Sequence, residues 1–237
     1  MHAWKVFLPA AFLSITVVSA QRASLSAQDA APQNAVPIER LVVIDAAHGG
    51  SETGAMLNPA VPEKDVNLVI ARRLRQELTN HGVLTQLLRE GDATLTDDQR
   101  AAMVNAQRPT LYLSIHSTSL GSGVTIITAL LPGSASTRGF FLAWQNAQSS
   151  WLPQSRLVST LLTPSVQRWG LPARALLAPL RPLNNITSPA LGIEISPTNG
   201  NILQLASVEY QQRISTALSN ALVSTLSLLP PRPGTSP

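Results

Sequence analysis

Leu41-Val42-Val43-Ile44-Asp45-Ala46-Ala47-His48-Gly49-Gly50 is the stretch whose reading sets the fold. Four consecutive aliphatic residues with no polar alternation are the pattern of a strand buried on both faces, as happens when helices cover both sides of a sheet. The run ends on an acid, and Gly49-Gly50 lets the backbone turn tightly after His48. A loop is predicted from Ala46 to Pro62. Beyond it Asp65 is placed to cap a helix running to about His81, with Val66, Val69, Ile70, Leu74 and Leu78 at helical spacing. Gly82 then stands where a C′ glycine belongs.

The same alternation continues downstream. Val83 to Leu88 reads as a strand, and Thr96-Asp97-Asp98-Gln99 as a capping box opening a helix to about Gln107. Leu111 to Ile115 and Val124 to Leu131 read as further strands. Phe140 to Ser150 and Ser155 to Trp169 have helical character. Ala175 to Leu180 and Ala190 to Ile195 read as strands again. Leu203 to about Leu226 is a last amphipathic helix, with Tyr210, Ile214, Leu218 and Leu222 on one face. Strands alternating with helices predict a single α/β domain: a mostly parallel, twisted central sheet with helices on both faces.

The 237 residues suffice for one such domain with a substantial core. Residues 1–20 read as a signal peptide: Lys5 supplies the positive end, Val6 to Val18 the apolar run, and Val18-Ser19-Ala20 the small-residue cleavage site. An uncleaved N-terminal anchor is the other reading of that segment, although the run is short for a membrane span. Residues 21–38, rich in Ala, Ser, Gln and Pro, read as a flexible linker, 39–229 as the domain and 230–237 as a disordered tail. The chain is therefore expected to be exported, with a periplasm as the favoured compartment and the extracellular space or cell wall as the alternative. The mature form is expected to have no membrane span.

There are no cysteines, so no thiolate can act as nucleophile or metal ligand and no disulfide forms. The net charge is +4, carried by arginines, since Lys5 and Lys64 are the only lysines. Such a surface suits an anionic partner or is simply a solvated arginine-rich surface. No basic patch is interleaved with aromatics, and no nucleic-acid partner is expected.

Metal-binding side chains are then limited to histidines and carboxylates. Of the four histidines, His2 lies in the signal segment and His81 at a predicted helix end, where a cationic side chain suits the helix dipole. His48 and His116 remain, each at a predicted strand end. Glu63 precedes a helix start, and Glu194 lies inside Leu191-Gly192-Ile193-Glu194-Ile195, where a carboxylate is costly to bury unless it has a partner or a task. In open α/β sheets, ligands bind beyond the carboxyl ends of the strands, so these four residues are expected to converge on one sheet edge. Two histidines and a carboxylate are a common ligand set for catalytic zinc, and a further glutamate can serve as base.

Four stretches in this order, His48-Gly49-Gly50, Glu63-Lys64-Asp65-Val66-Asn67-Leu68, Ser114-Ile115-His116 and the Glu194 strand, resemble the zinc-dependent N-acetylmuramoyl-L-alanine amidases, of the type 3 catalytic domain. The likeness runs from about Leu41 to Leu222 and is weakest between about Pro132 and Pro172. It implies Zn2+ on His48, Glu63 and His116, with Glu194 as catalytic base. It implies hydrolysis of the amide between N-acetylmuramic acid and L-alanine in peptidoglycan, with peptidoglycan or muropeptides as substrate and a protein activator as a possible partner. A zinc amidase or peptidase acting on other muropeptide amides is the alternative, as is a non-catalytic peptidoglycan-binding homologue.

Within the resemblance, Glu52 stands where the family often has aspartate and is a candidate for supporting the loop or a ligand. Arg89, Arg100 and Asn105 match family positions and read as mainly structural. Arg174 and Arg181 are candidates for reaching a substrate carboxylate. The pattern breaks at three places. Ala46-Ala47 replaces the family's Pro-Gly, which would strain the turn if a positive φ is required there. Thr118 replaces an asparagine or aspartate. Ser196-Pro197-Thr198-Asn199-Gly200-Asn201 replaces a Gly-Phe segment, so a reshaped substrate floor is expected. The stretch from Gly133 to Gly170 is short for a helix across the zinc, and an open site is expected.

Overall fold

The computed structural model describes residues 1, 40–131 and 143–229. The segments read as signal peptide, linker and tail lie outside them, as do residues 132–142 of the weak middle. Among the described residues no helix is long and apolar enough to cross a membrane.

The strands are β1 (Leu41–Ala46), β2 (Met56–Asn58), β3 (Val61–Pro62), β4 (Leu84–Leu87), β5 (Leu111–Ser117), β6 (Gly123–Ala129), β7 (Ala173–Ala178) and β8 (Ala190–Ser196). The helices are α1 (Glu63–Asn80), α2 (Asp97–Gln107), α3 (Leu152–Arg168) and α4 (Val208–Leu226). Six strands form the central sheet in the order β4-β1-β5-β8-β6-β7. Every neighbouring pair is parallel except β6 with β8. The predicted α/β sheet is therefore the observed one, helices on both faces included.

Period-two alternation of the strands decides which face each residue serves. Val42, Ile44, Ile115, Ile126 and Ile193 pack under α1, α3 and α4. Leu41, Val43, Tyr112 and Ile127 face the other way, towards Ala101 and Val104 of α2. Each fully buried aliphatic side chain contributes about 1.5–3 kcal/mol. In α1 the buried stripe is Val66, Ile70, Leu74 and Leu78, joined by Leu68 and Ala71, whereas Val69 is exposed. Tyr210, Ile214, Leu218 and Leu222 of α4 are all buried, as their spacing predicts.

Local boundaries differ from the predicted ones where short polar contacts act. α1 begins two residues before Asp65, with Pro62 as N-cap and no side-chain cap; the Glu63 and Lys64 amides donate instead to Ala55 and Thr53 carbonyls. The loop before it contains the β2–β3 hairpin. Thr96 and Gln99 form the expected capping box. Trp144–Trp151 is a 3-10 segment rather than an α-helix, and α3 starts at Leu152. The last helix is split: Asn201 caps a 3-10 turn at Ile202–Ala206, and Ser207 caps α4 afresh.

Candidate metal centre

His48 follows β1, Glu63 opens α1, and His116 and Glu194 lie near the ends of β5 and β8. One ligand atom from each of His48, Glu63 and His116 lies within 4.8 Å of the others. The Glu63 side chain is 8 % exposed, and its Oε1 faces His116 Nδ1 at 3.1 Å and His48 Nε2 at 3.2 Å. The same oxygen accepts from the Ser117 amide and Asn67 Nδ2, both at 3.3 Å, while Oε2 accepts from the Ala55 amide at 3.0 Å. The two imidazoles meet edge to face, with centroids 5.4 Å apart.

Burial by itself raises the Glu63 carboxyl, but hydrogen bonds from His116, His48 and the Ala55 amide outweigh it and hold the group far below the usual carboxylate range. Glu63 is thus an anion. The His48 ring is raised above the ordinary imidazole value, chiefly by its hydrogen bond to Glu63, against the opposing effect of burial; Glu52, 2.6 Å from Nδ1, adds to the rise. An imidazole held between two carboxylates calls for positive charge at this point. A divalent cation among His48, Glu63 and His116 meets that demand with two nitrogen donors and one oxygen donor, a set suited to zinc. Glu52 on Nδ1 is then the kind of carboxylate partner that fixes the orientation of a metal-binding imidazole.

Glu194 is brought to the same place by register. It is the partner of His116 across β5–β8 and of Thr125 across β6–β8. Paired strands lie about 4.8 Å apart, so Glu194 and His116 stand side by side on the α2 face. Glu194 is half-buried, and its carboxylate makes no hydrogen bond to another described residue.

The turn that carries His48 is held from behind. The Arg89 and Arg100 side chains are buried. Arg100 Nη2 donates to the His48 carbonyl at 2.8 Å, and Arg89 Nε to the Ala46 carbonyl at 2.8 Å. Asn67 Nδ2 reaches the Ala47 carbonyl at 3.2 Å. Arg100 is itself fixed by an ion pair with Asp45, whose other oxygen accepts from the Tyr112 hydroxyl at 2.7 Å. Burial first, then the Asp45 charge and hydrogen bond, pushes the Tyr112 hydroxyl well above its usual value, so it remains a donor. Lys64 and Asp92 brace Gly50, two residues on from His48: Lys64 Nζ donates to the Gly50 carbonyl and to Asp92, which accepts from the Gly50 amide.

This geometry corrects the strain expected at Ala46-Ala47. Neither alanine has a positive φ; the left-handed residue is His48 itself, at φ 64°. Its carbonyl bond to Arg100 helps hold a conformation that non-glycine residues seldom adopt. Spacing alone did not single out Gly54. At φ 66° it runs so close to the centre that a Cβ there would come within 2.5 Å of the His48 ring and 2.7 Å of Glu63 Oε2.

Residues 42–224 match the Amidase_3 family model, described as N-acetylmuramoyl-L-alanine amidase. The chain belongs to this amidase family. Among its relatives is AmiA of Salmonella typhimurium, 24% identical over 219 residues that cover 78% of this chain and 76% of AmiA. AmiA of Escherichia coli K12 is 38% identical over a shorter stretch of 78 residues, 33% of this chain and 27% of that protein. The fold of the CwlV amidase catalytic domain from Bacillus (Paenibacillus) polymyxa var. colistinus superposes with a TM-score of 0.60 at 20% identity, covering 79% of this chain and 98% of that one. An amidase of Clostridium difficile 630 gives 0.61 at 20% identity, covering 80% and 97%.

In this member of the amidase family, the segment after Glu194 is pinned rather than loose. Ser196 Oγ donates to the Leu120 carbonyl at 2.8 Å, and Tyr210 donates to the Ser196 carbonyl at 2.5 Å. The Thr198 amide donates to Gln204 at 2.7 Å.

Proposed function

We propose that this amidase-family chain is an exported zinc enzyme that cleaves the amide between N-acetylmuramic acid and L-alanine in peptidoglycan. Residues 1–20 act as its signal peptide and 39–229 as the catalytic domain, and the periplasm is its compartment. The observation that carries the reading is the meeting of His48, Glu63 and His116 within 4.8 Å, in a chain matching the amidase family over residues 42–224.

His48, Glu63 and His116 hold the metal. A zinc ion held there would supply Lewis-acid chemistry for the scissile carbonyl and for activation of water. Glu194 takes the proton of the attacking water on a carboxylate oxygen and delivers it to the amide nitrogen as the amine leaves. Its lack of a hydrogen-bonding partner among the described residues suits a group that must gain and lose a proton. Arg89 and Arg100 keep His48 in place during turnover, and Glu52 keeps its ring oriented. A protein activator belongs to the same reading: one fold neighbour, the CwlD amidase of Clostridioides difficile, is described in complex with the GerS lipoprotein.

The test is to incubate purified sacculi with the mature domain and zinc, beside a Glu194→Ala control, and identify products by mass spectrometry. Free stem peptides beginning at L-alanine, made by wild type and not by the variant, are expected. Fragments with a different new amine terminus would move the activity to another bond. Binding of sacculi with no release, with zinc and with a partner protein present, would overturn the catalytic reading.

A further inference from the structure

A cavity of about 430 Å³ opens beside His48 and His116. Its floor is the α2 face of the sheet, with Asp45 and Ser114. Its far wall is the loop after β7, where Leu180, Arg181 and Pro182 face Thr96 at the start of α2.

That loop is anchored on both sides of Arg181. Leu180 sits over Gly192 of β8: a Cβ there would come within 2.6 Å of Leu180 Cδ2, so this strand position has no room for a side chain. Leu183 is fully buried. Asn105 of α2 grips the next turn, donating to the Asn185 carbonyl at 2.9 Å and accepting from the Thr187 amide at 2.8 Å. Asn185 in turn donates to the Trp144 carbonyl at 3.2 Å.

Arg181 on this held loop is exposed and makes no hydrogen bond or ion pair with another described residue. The nearby acids are otherwise engaged. Asp45 is paired with Arg100 and Tyr112, and Glu52 with His48. Asp97 lies in the first turn of α2, where the helix dipole favours a negative charge. Arg174, the other candidate arginine for a substrate carboxylate, does not line this cavity: it lies near the start of β7, and its Nε donates to Thr125 at 3.1 Å, on the far side of Glu194 from His116.

We propose that Arg181 is a specificity-determining residue that binds a free carboxylate of the stem peptide while the scissile amide lies against His48, His116 and Glu194. The proposal rests on the amidase reading above. A guanidinium offers two parallel N–H donors that match a carboxylate, and a fixed backbone lowers the entropy lost when the side chain is ordered. The carboxylate nearest the scissile bond in such a substrate is the free α-carboxylate of the second, γ-linked residue. Its amidated form presents a neutral carboxamide at the same point.

The experiment compares muramoyl-L-alanyl-D-isoglutamate with muramoyl-L-alanyl-D-isoglutamine on zinc-loaded protein, wild type and Arg181→Ala, with Arg174→Ala as control. KM and kcat are measured for each. Binding is measured by calorimetry on the Glu194→Gln background. Arg181→Ala is expected to raise KM and Kd about 10- to 100-fold for the acid, with little change for the amide, kcat or bound zinc. Arg181→Lys, which lacks the fork, restores only part of the loss. Arg174→Ala changes neither ligand's Kd. Equal losses on both ligands, no loss on the acid, or no binding of the acid by the Glu194→Gln protein would each overturn the proposal. If wild type cleaves neither compound but calorimetry still separates acid from amide through Arg181, the reaction assignment fails and the carboxylate site stands.

Discussion

Asp45 and Glu194 are two carboxylates set in hydrophobic strands on the same face of the sheet, and their surroundings are opposite. Asp45 is fully buried and saturated, with Arg100 on one oxygen and Tyr112 on the other. Glu194 is half-buried beside His116 and has no hydrogen-bonding partner among the described residues. A carboxylate that interrupts a buried strand needs either partners or a task. Asp45 has the partners; its work is to hold Arg100, which holds the His48 carbonyl. Glu194 lacks them, which supports its proposed task as the base.

Breaking each side of that contrast should give different signatures. The largest effect is expected at Glu194: replacement by Gln should lower kcat about 10²- to 10⁴-fold, the usual range for a proton-transferring side chain. The melting temperature should not fall, because no hydrogen bond is lost. A marked loss of stability would instead make Glu194 a structural residue. Arg100→Ala should do the reverse. Removing one partner of a buried ion pair leaves Asp45 uncompensated and should cost about 3–5 kcal/mol, read by denaturant unfolding. A change below about 1 kcal/mol would show that Asp45 finds another partner or a proton.

The smallest of these effects sharpens the link between the two regions. Glu52 touches the His48 ring from the solvent side, and its side chain is 62% exposed. Glu52→Gln should weaken zinc binding about 10- to 100-fold, measured by competition with a chelator, while leaving the fold intact. Unchanged affinity would mean that Arg100 and the His48 backbone orient the ring without help.

Much of the fold was legible because its signals are local. Strand burial on two faces, the helical spacing of Ile70, Leu74 and Leu78, and the Thr96 capping box each depend on neighbours a few residues away. The candidate ligands were legible by elimination and by motif order. Gly54 was missed as part of the site, and Lys64 was read only as part of a motif, because their contacts are with His48, Glu63, Gly50 and Asp92, which no spacing in sequence relates. Val69 shares the helical spacing but is exposed, because the core-facing arc of α1 is centred on Asn67, Ile70, Ala71 and Leu74 and turns Val69 towards the rim.

By itself the sequence determined the six sheet strands and four main helices of the described residues, the α/β class, the absence of thiol chemistry and the short set of side chains able to hold a metal. These follow from composition and from periodicities of two and 3.6 residues, which each segment carries on its own. Only the tertiary structure decided that β6 runs against β8 and that His48, not the alanines before it, takes the left-handed turn. It also separated Asp45 from Glu194, and the pair Arg89 and Arg100 from Arg181. Identical residue types acquire different roles because long-range packing alone fixes which charges are desolvated and paired, and which stay open to a ligand.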